Sequence, residues 1–375
     1  MSRSSTLGKA LAAGLLIVAP GGLQGQTTSP NQDNTTFATT SAEFLLFGAG
    51  ARGTALGDAF AAIANDVSAL YYNPGGVALL TRPGATFSTY DYVADTRYSW
   101  GGVAFPFSGG SRVFGIQAGT FGFDDQPVTT VAQPDGTGAV YSVSETFAGA
   151  TLAQNFSDRF SAGITAKFVF DQLGLVDGSA FAVDFGTNFH AELANHPIRL
   201  GFVVSNLGTD ISYSGDALAV GVPRDPADPT ADNPPELPQP AELKTKGFAL
   251  PTIFRVALAY DLISRANNRL TLLGDFNQSN SNRAGAAGGG EWALNNLGGS
   301  PFGVALRGSY TYAPANNIPV DPSQTALTDE ENLQGIAFGG GLNYAAPNFS
   351  LGVDYAYKYL GILGATNFFT LSVGW

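Results

Sequence analysis

Large apolar residues alternate with small or polar residues over long stretches of the second half of the chain. Between Phe349 and Tyr357, every second residue is aromatic or aliphatic, and the residues between them are Ser, Gly, Asp and Ala. The ranges 251–262, 301–311 and 335–345 repeat the pattern. A period of two predicts β-strands with one large apolar face and one small or polar face.

The alternation predicts about fourteen strands. They are expected at roughly 85–93, 97–106, 112–123, 142–155, 160–172, 180–189, 198–206, 251–262, 269–277, 286–293, 301–311, 335–345, 348–358 and 367–375. A β-sandwich also alternates, but the small face here consists mostly of Gly, Ala, Ser and Thr with isolated charges, which is typical of a lumen wall. We therefore predict an all-β fold: a transmembrane antiparallel β-barrel.

Three connections are much longer than the others, at 124–141, 208–250 and 312–334. They follow the third, seventh and eleventh predicted strands, so all three fall at the same end of the barrel. Outer-membrane barrels typically have long loops at their extracellular end and short turns at the opposite end, so we expect these three connections to be extracellular. The stretch 222–240 is too rich in proline for regular structure and is expected to be extended.

The last predicted strand ends on an aromatic residue. Its apolar face consists of Phe369, Leu371, Val373 and Trp375. We interpret this face as lipid-facing. The ending resembles the C-terminal signal that the outer-membrane barrel assembly machinery recognises, so these four residues are the predicted insertion signal.

Composition narrows the classes of function. The chain of 375 residues has no Cys, one Met and two His, and only 13% of its residues are charged, against about 25% in soluble domains. We find no nucleophile elbow, phosphate loop or metal motif, and we predict neither an enzyme nor a bound cofactor. The net charge of -12 argues against binding nucleic acid.

The first residues are typical of a signal peptide. Arg3 and Lys9 precede the apolar run 10–19, which at about ten residues is too short to span a membrane as a helix. We predict a signal peptide at 1–25, a linker at 26–40 and a barrel at 83–375. The expected location is the outer membrane of a Gram-negative type cell.

The residues before the barrel, 41–82, break the alternation. Small residues at 57–64 and the run 66–72 allow short helical turns, and Asn73-Pro74-Gly75-Gly76 is a turn signal. A linker is one interpretation. We favour a plug, because a non-strand segment before a barrel can fold into its lumen. Residues 41–82 are called the plug segment below.

The sequence GARGTALGDAFAAIANDVSALYYNPGGVALL, which begins at Gly50 after Ala49, resembles the N-terminal signature of FadL-like outer-membrane barrels. The resemblance implies a hatch that blocks the lumen. Its motif residues here are Arg52, Asp66, Asn73, Pro74 and Gly75, where Gly75 replaces the usual Ala.

Further motifs at 177–189, 200–215, 250–262 and 336–361 occur in the order expected of PorV/PorQ family proteins. That resemblance implies a fourteen-stranded barrel acting as an accessory of type IX-like protein secretion. Its partners would be secretion proteins and secreted cargo held by the loops 208–250 and 312–334. The alternative, from the FadL-like resemblance, is passive transport of hydrophobic small molecules. Outer-membrane lipid and the barrel assembly machinery are expected partners in both cases.

Ten charged residues fall on the predicted inner face of the wall. They are Lys167, Asp171, Asp184, Arg199, Arg255, Asp261, Asp275, Arg307, Asp354 and Lys358. Because buried charges are normally paired, we expect them to pair with one another or with the plug segment. Arg52 is the expected plug partner of a wall carboxylate.

Overall fold

Fourteen antiparallel strands close into one barrel in the computed structural model, which describes residues 39–222, 239–313 and 335–375. The barrel strands are β1 Gly84–Asp91, β2 Arg97–Phe107, β3 Arg112–Pro127, β4 Val140–Ser157, β5 Phe160–Leu173, β6 Val176–Leu193, β7 His196–Gly208, β11 Ile253–Arg265, β12 Asn268–Ser279, β13 Gly285–Leu294, β14 Phe302–Tyr312, β15 Ile336–Ala346, β16 Phe349–Tyr359 and β17 Ala365–Gly374. The predicted signal peptide 1–25 and nearly all of the linker 26–40 lie outside the described residues.

Each barrel strand pairs with its neighbours in the sequence, and the last strand pairs with the first. β1 and β17 run antiparallel from Gly84 opposite Gly374 to Thr89 opposite Phe369. β7 pairs with β11 across the longest connection. The closure confirms the predicted barrel, and the strand count agrees with the prediction.

The long connection after β7 contains more structure than its proline content predicted. Three short strands occur there, β8 Tyr213–Ser214, β9 Ala219–Val222 and β10 Gln239–Glu242. β9 and β10 pair antiparallel, so the two ends of the predicted extended stretch 222–240 belong to a hairpin. Backbone hydrogen bonds between the flanking residues offset the poor strand propensity of proline. Residues 223–238 and 314–334 lie outside the described residues.

The wall has the inside-out distribution expected of a barrel in lipid. On β17, Phe369 and Leu371 are about half exposed, whereas Thr370 between them is buried. The other strands likewise turn Phe, Leu and Tyr outward and Gly, Thr and charged residues inward. Because water would penalise such an apolar outer surface, this is a multi-pass β-barrel of the outer membrane.

The described helices are all short. None of them is long and apolar enough to cross a membrane.

The plug segment forms one 3-10 turn and three short helices, η1 Glu43–Leu46, α1 Ala51–Ala55, α2 Ala69–Tyr72 and α3 Pro74–Val77. Most of its residues are fully buried. α1 contacts β14 to β17, whereas α2 contacts β3 and α3 contacts β4 to β6. These strands lie on opposite sides of the barrel, so the plug segment crosses the lumen.

The plug segment also runs from one end of the barrel to the other. Ser41 hydrogen-bonds to Asp171 near the end of β5, and Pro83 leads into β1 at Gly84. We call the end where β1 and β5 finish the loop end, since the long connections after β3, β7 and β14 lie there. The opposite end, with the short turns, is called the turn end.

Candidate functional site

The contact between the plug segment and the barrel wall is the candidate functional site. Its most charged point is Glu291 on β13, which is 1% exposed. Arg52 of the plug segment donates two hydrogen bonds to its carboxylate, at 2.9 and 3.0 Å. Arg269 and Arg307 each donate one more, both at 2.8 Å. Three guanidinium groups therefore surround one buried carboxylate.

Arg52 also binds within the plug segment. Its Nη1 lies 2.7 Å from Asp66 Oδ2, and its guanidinium carbon lies 4.9 Å above the Phe60 ring. Burial alone would lower the pKa of Arg52, but Glu291 and Asp66 outweigh burial and raise that pKa above its ordinary value. Arg52 is therefore a permanent cation that joins two parts of the plug segment to the wall.

Asp58 provides a second charged contact. Its Oδ2 lies 3.1 Å from Nζ of Lys358 on β16, and its Oδ1 accepts a hydrogen bond of 3.0 Å from the Tyr72 hydroxyl. Arg255 on β11 donates to its backbone oxygen at 2.9 Å. Burial raises the pKa of Asp58, but Lys358, Arg255 and these hydrogen bonds prevail and hold it below the ordinary value.

The motif Asn73-Pro74-Gly75 joins the other side of the plug segment to the wall. Pro74 begins α3, and the Asn73 side chain caps that helix by accepting from the Gly75 amide. Asn73 Nδ2 donates to the backbone oxygen of Thr187 on β6 at 3.1 Å. The hydroxyl of Ser161 on β5 donates to the Gly75 oxygen at 2.8 Å.

Glycine at position 75 has a packing reason. A Cβ added there would lie 2.7 Å from the Gly186 oxygen and 2.7 Å from the Thr187 Cα. Both are backbone atoms of β6, which cannot move aside cheaply. The usual Ala of the motif would therefore clash, and the departure from the FadL-like pattern lets α3 touch the wall.

The structure brings the predicted hatch residues into two groups. Arg52 meets Asp66, and Asn73, Pro74 and Gly75 meet β5 and β6. Their role in closing the lumen stays a prediction.

The residues of the predicted insertion signal face outward, and the Trp375 ring lies 6.3 Å from that of Phe105. Their role in membrane insertion also stays a prediction.

The predicted pairing of the lumen charges is confirmed for most of the set. The ion pairs are Lys167 with Asp184, Arg199 with Asp261, Arg307 with Asp354 and Lys358 with Asp58. Sequence reasoning missed Glu291, Arg269 and Asp58. The alternation of Glu291 with the outward Trp292 was the available signal, but the glycine run 288–290 obscures the period there.

The lumen near β1 to β4 is aromatic instead of charged. Rings of the plug segment and of the wall form two groups at and below the loop end, which together are called the aromatic cluster. One group consists of Phe47, Tyr90, Tyr92, Tyr98, Phe121 and Phe368. The other consists of Phe44, Phe60, Tyr71, Tyr72, Trp100 and Phe147. At the turn end, a cleft of about 420 Å³ separates residues 65–67 and 79–83 from the wall.

Metal chemistry finds no support in the described ranges. Within 39–222, 239–313 and 335–375, no three His, Asp or Glu residues are grouped so as to hold a metal ion.

Comparisons with known proteins identify the fold. No protein-family model and no curated protein matches the sequence. The Ralstonia pickettii toluene transporter TbuX is 10% identical over 88% of this chain and 98% of its own, with a TM-score of 0.52. The Pseudomonas putida toluene transporter TodX is 11% identical over 87% of this chain and 97% of its own, with a TM-score of 0.51.

A third structure agrees. The TodX deltaS2S3 mutant, described as a monoaromatic hydrocarbon channel, is 10% identical over 87% of this chain and 98% of its own, with a TM-score of 0.53. At such identities the likeness establishes the fold. The chain has the FadL-like outer-membrane barrel fold implied by its sequence, whereas its place in the PorV/PorQ family stays a prediction.

Proposed function

We propose that this protein is a passive channel for hydrophobic small molecules across the outer membrane, closed at rest by the plug segment. The observation that carries the proposal is the aromatic cluster between the plug segment and the strands β1 to β4. Aromatic side chains bind apolar and aromatic solutes favourably, because the rings and the solutes are both poorly solvated by water. The cluster begins at the loop end, where a solute from outside would arrive.

The charged half of the lumen supports a closing role for the plug segment. The network of Arg52, Glu291, Arg269 and Arg307 fixes one side of the segment to β12, β13 and β14. The motif at Asn73 fixes the other side to β5 and β6. A segment held on both sides of the lumen can close it, and we propose 41–82 as the closing element and 83–375 as the wall.

The solved structures with this fold add support, because two are described as toluene transporters and a third as a monoaromatic hydrocarbon channel. The secretion role implied by the PorV/PorQ resemblance has no comparable support. Its proposed cargo loops, 208–250 and 312–334, are described only in part. We therefore place transport, the alternative interpretation of the sequence, ahead of secretion.

A disulfide between the plug segment and the wall tests the proposal. Because the chain contains no cysteine, two introduced cysteines can pair only with each other within one molecule. Gly50 has extended backbone, and a Cβ there would lie 3.7 Å from Oγ1 of Thr370 on β17. Gly50→Cys with Thr370→Cys therefore places two sulfurs within disulfide reach. The oxidised double variant should hold α1 against the wall, and reduction should release it.

The assay is the initial rate of toluene uptake by cells whose lipopolysaccharide leaflet is intact. We expect faster uptake with the native protein and with the reduced double variant, and background uptake with the oxidised variant. The two single-cysteine variants control for the substitutions themselves. Equal uptake with and without the native protein would refute the channel. A secretome that changes on oxidation while uptake does not would return the secretion role to first place.

A further inference from the structure

Two carboxylates face each other across neighbouring strands of the wall near the loop end. Glu145 on β4 lies directly opposite Asp171 on β5 in the strand register. Asp171 points into the lumen, because it is buried whereas Phe170 beside it is exposed. Glu145 does so too, because it lies opposite Phe121 on β3, whose ring meets the Phe47 ring of the plug segment. Directly opposite side chains have Cβ atoms about 4.5–5.5 Å apart, and like charges in such positions repel each other.

Neither carboxylate forms an ion pair with a residue that the structure describes. β6 places Gly178 opposite Asp171, and β8 contributes the uncharged Tyr213 hydroxyl, which donates to Asp171 Oδ2 at 2.9 Å. The one basic residue of β5, Lys167, pairs instead with Asp184 at 2.7 Å. Two carboxyl groups that share such a site typically keep one proton between them at neutral pH, because the higher of their two pKa values rises well above the ordinary range near about 4.

One oxygen of Asp171 binds the plug segment, and the other lacks a donor. Asp171 is completely buried, and its Oδ2 accepts a hydrogen bond of 3.2 Å from the Ser41 hydroxyl as well as the one from Tyr213. Its Oδ1 has no hydrogen-bond partner in the described part of the chain. A protonated Glu145 carboxyl, directly opposite, supplies the donor that this oxygen lacks. The hydrogen bond between Ser41 and Asp171 is called the loop-end attachment below.

A third carboxylate belongs to the plug segment itself. Glu43 begins η1, two residues after Ser41. Phe44, the next residue, packs against Phe147 on the inner face of β4, with the two ring centres 6.1 Å apart. This contact brings Glu43 within electrostatic range of Glu145. An ionised Glu145 therefore directs a negative charge at the plug segment as well as at the neighbouring strand.

We propose that Glu145 and Asp171 share one proton that maintains the loop-end attachment, and that the loss of this proton in alkaline medium releases the plug segment there. The inference rests on the proposed channel function, whose closing element it regulates. With the proton present, Glu145 donates to Asp171 Oδ1 and carries no charge toward Glu43. Without the proton, three carboxylates lie close together at the loop end. The wall strands are fixed by their pairing, so the plug segment is the partner that moves away.

The direction of the pH response follows from which form holds the proton more tightly. In the attached form Glu43 is close, so the pair binds its proton more tightly than in the released form, from which Glu43 has moved away. The attachment is therefore complete below the pKa of the released form, and it is lost as the pH rises through the pKa of the attached form. The Asp58 contact responds in the opposite sense, because its pKa is lowered in the docked plug segment.

The test measures how readily residue 42 becomes accessible in the full-length protein in detergent. Ala42 is 3% exposed and the chain has no cysteine of its own, so Ala42→Cys provides a single buried thiol beside the loop-end attachment. Its rate of labelling by a thiosulfonate reagent is divided, at each pH from about 6 to about 9, by the rate for Ala42→Cys combined with Glu145→Gln. This ratio cancels the ionisation of the thiol itself. We expect a ratio of about one at the lowest pH and about ten at the highest, the fold-change for one unit of difference between the two pKa values.

Glu192→Gln is the matched control, since Glu192 is exposed at the turn end, and it should leave the labelling of Ala42→Cys unchanged at every pH. Glu43→Gln is a second variant that does not depend on the folding of Glu145→Gln, and it should reduce the alkaline rise in labelling. If labelling rises equally with and without the Glu145 and Glu43 carboxylates, the shared proton is refuted and the channel stands. If the ratio rises as expected while toluene uptake stays at background at every pH, the channel is refuted and the shared proton stands.

Discussion

Replacing Arg52 with alanine should loosen the plug segment without disturbing the barrel. The substitution removes two hydrogen bonds to Glu291, at 2.9 and 3.0 Å, and one to Asp66, at 2.7 Å. Breaking a buried ion pair typically costs about 3–5 kcal/mol, because a charge stays buried alone. Here Glu291 keeps Arg269 and Arg307, and Asp66 reaches solvent. We therefore expect a smaller loss of roughly 2–3 kcal/mol, near the value of charge-assisted hydrogen bonds.

That free energy translates into the fraction of open molecules. A loss of about 2–3 kcal/mol raises the ratio of open to closed forms about 30- to 150-fold. Single-channel recording in planar bilayers measures this ratio directly, as the fraction of time spent in conducting states. The gel mobility of the unheated protein should not change, since the barrel strands keep all their pairings.

Arg97→Ala is the matched control for Arg52→Ala. Arg97 pairs with Asp91 at 2.8 Å, but both side chains are more than two thirds exposed and lie outside the lumen. Losing that pair should leave channel opening unchanged. If Arg52→Ala opens the channel no more often than Arg97→Ala, the plug segment is not held by this network and our reasoning fails.

Three further predictions concern acid, packing and assembly. The lowered pKa of Asp58 stabilises the docked plug segment above about pH 4, the ordinary range of aspartate, and this contribution is lost as the pH falls through the lowered value. Channel opening should therefore rise with acid, and Asp58→Asn should make that rise smaller, since the Glu291 carboxylate also holds the plug segment. Gly186→Ala should lower the free energy of unfolding by about 1–3 kcal/mol, because its Cβ would lie 2.2 Å from Asn73 Oδ1. The loss should appear on gels as a lower temperature of unfolding. In Gly274→Ala the added Cβ would have nothing within 4 Å, so this control should be neutral. Deleting Trp375 should reduce the amount of protein in the outer membrane on immunoblots, and undiminished amounts would contradict its role as an insertion signal.

The barrel could be predicted because its wall repeats one simple rule. A strand between lipid and a polar lumen must alternate, and residues such as those of β16 and β17 keep the period without interruption. The outward direction of Phe369 and Leu371 follows from that period alone. Sequence reasoning could therefore assign strand number, closure and the lipid face.

The candidate site could be predicted only in part. Arg52 stood out because a cation in an apolar, small-residue segment needs a partner, but nothing local indicated which carboxylate it would meet. Glu291 lies 239 positions further along the chain, and its selection depends on the path of the plug segment across the lumen. The aromatic cluster could not be predicted for the same reason, since Phe47, Tyr98 and Phe121 come together only through the tertiary fold.

The plug segment is anchored at both ends of the barrel, and this anchoring limits how far the proposed channel can open. At the loop end the Ser41 amide donates to the Ala249 backbone oxygen at 3.0 Å, and at the turn end Pro83 continues directly into β1. A segment attached at both ends cannot leave the lumen, and it can only shift toward one side of the wall. The widest passage is then a crescent-shaped gap between the plug segment and the wall. The conductance of this gap should stay below that of a barrel lacking 41–82. Such a crescent would pass a flat ring more readily than a bulky hydrated solute.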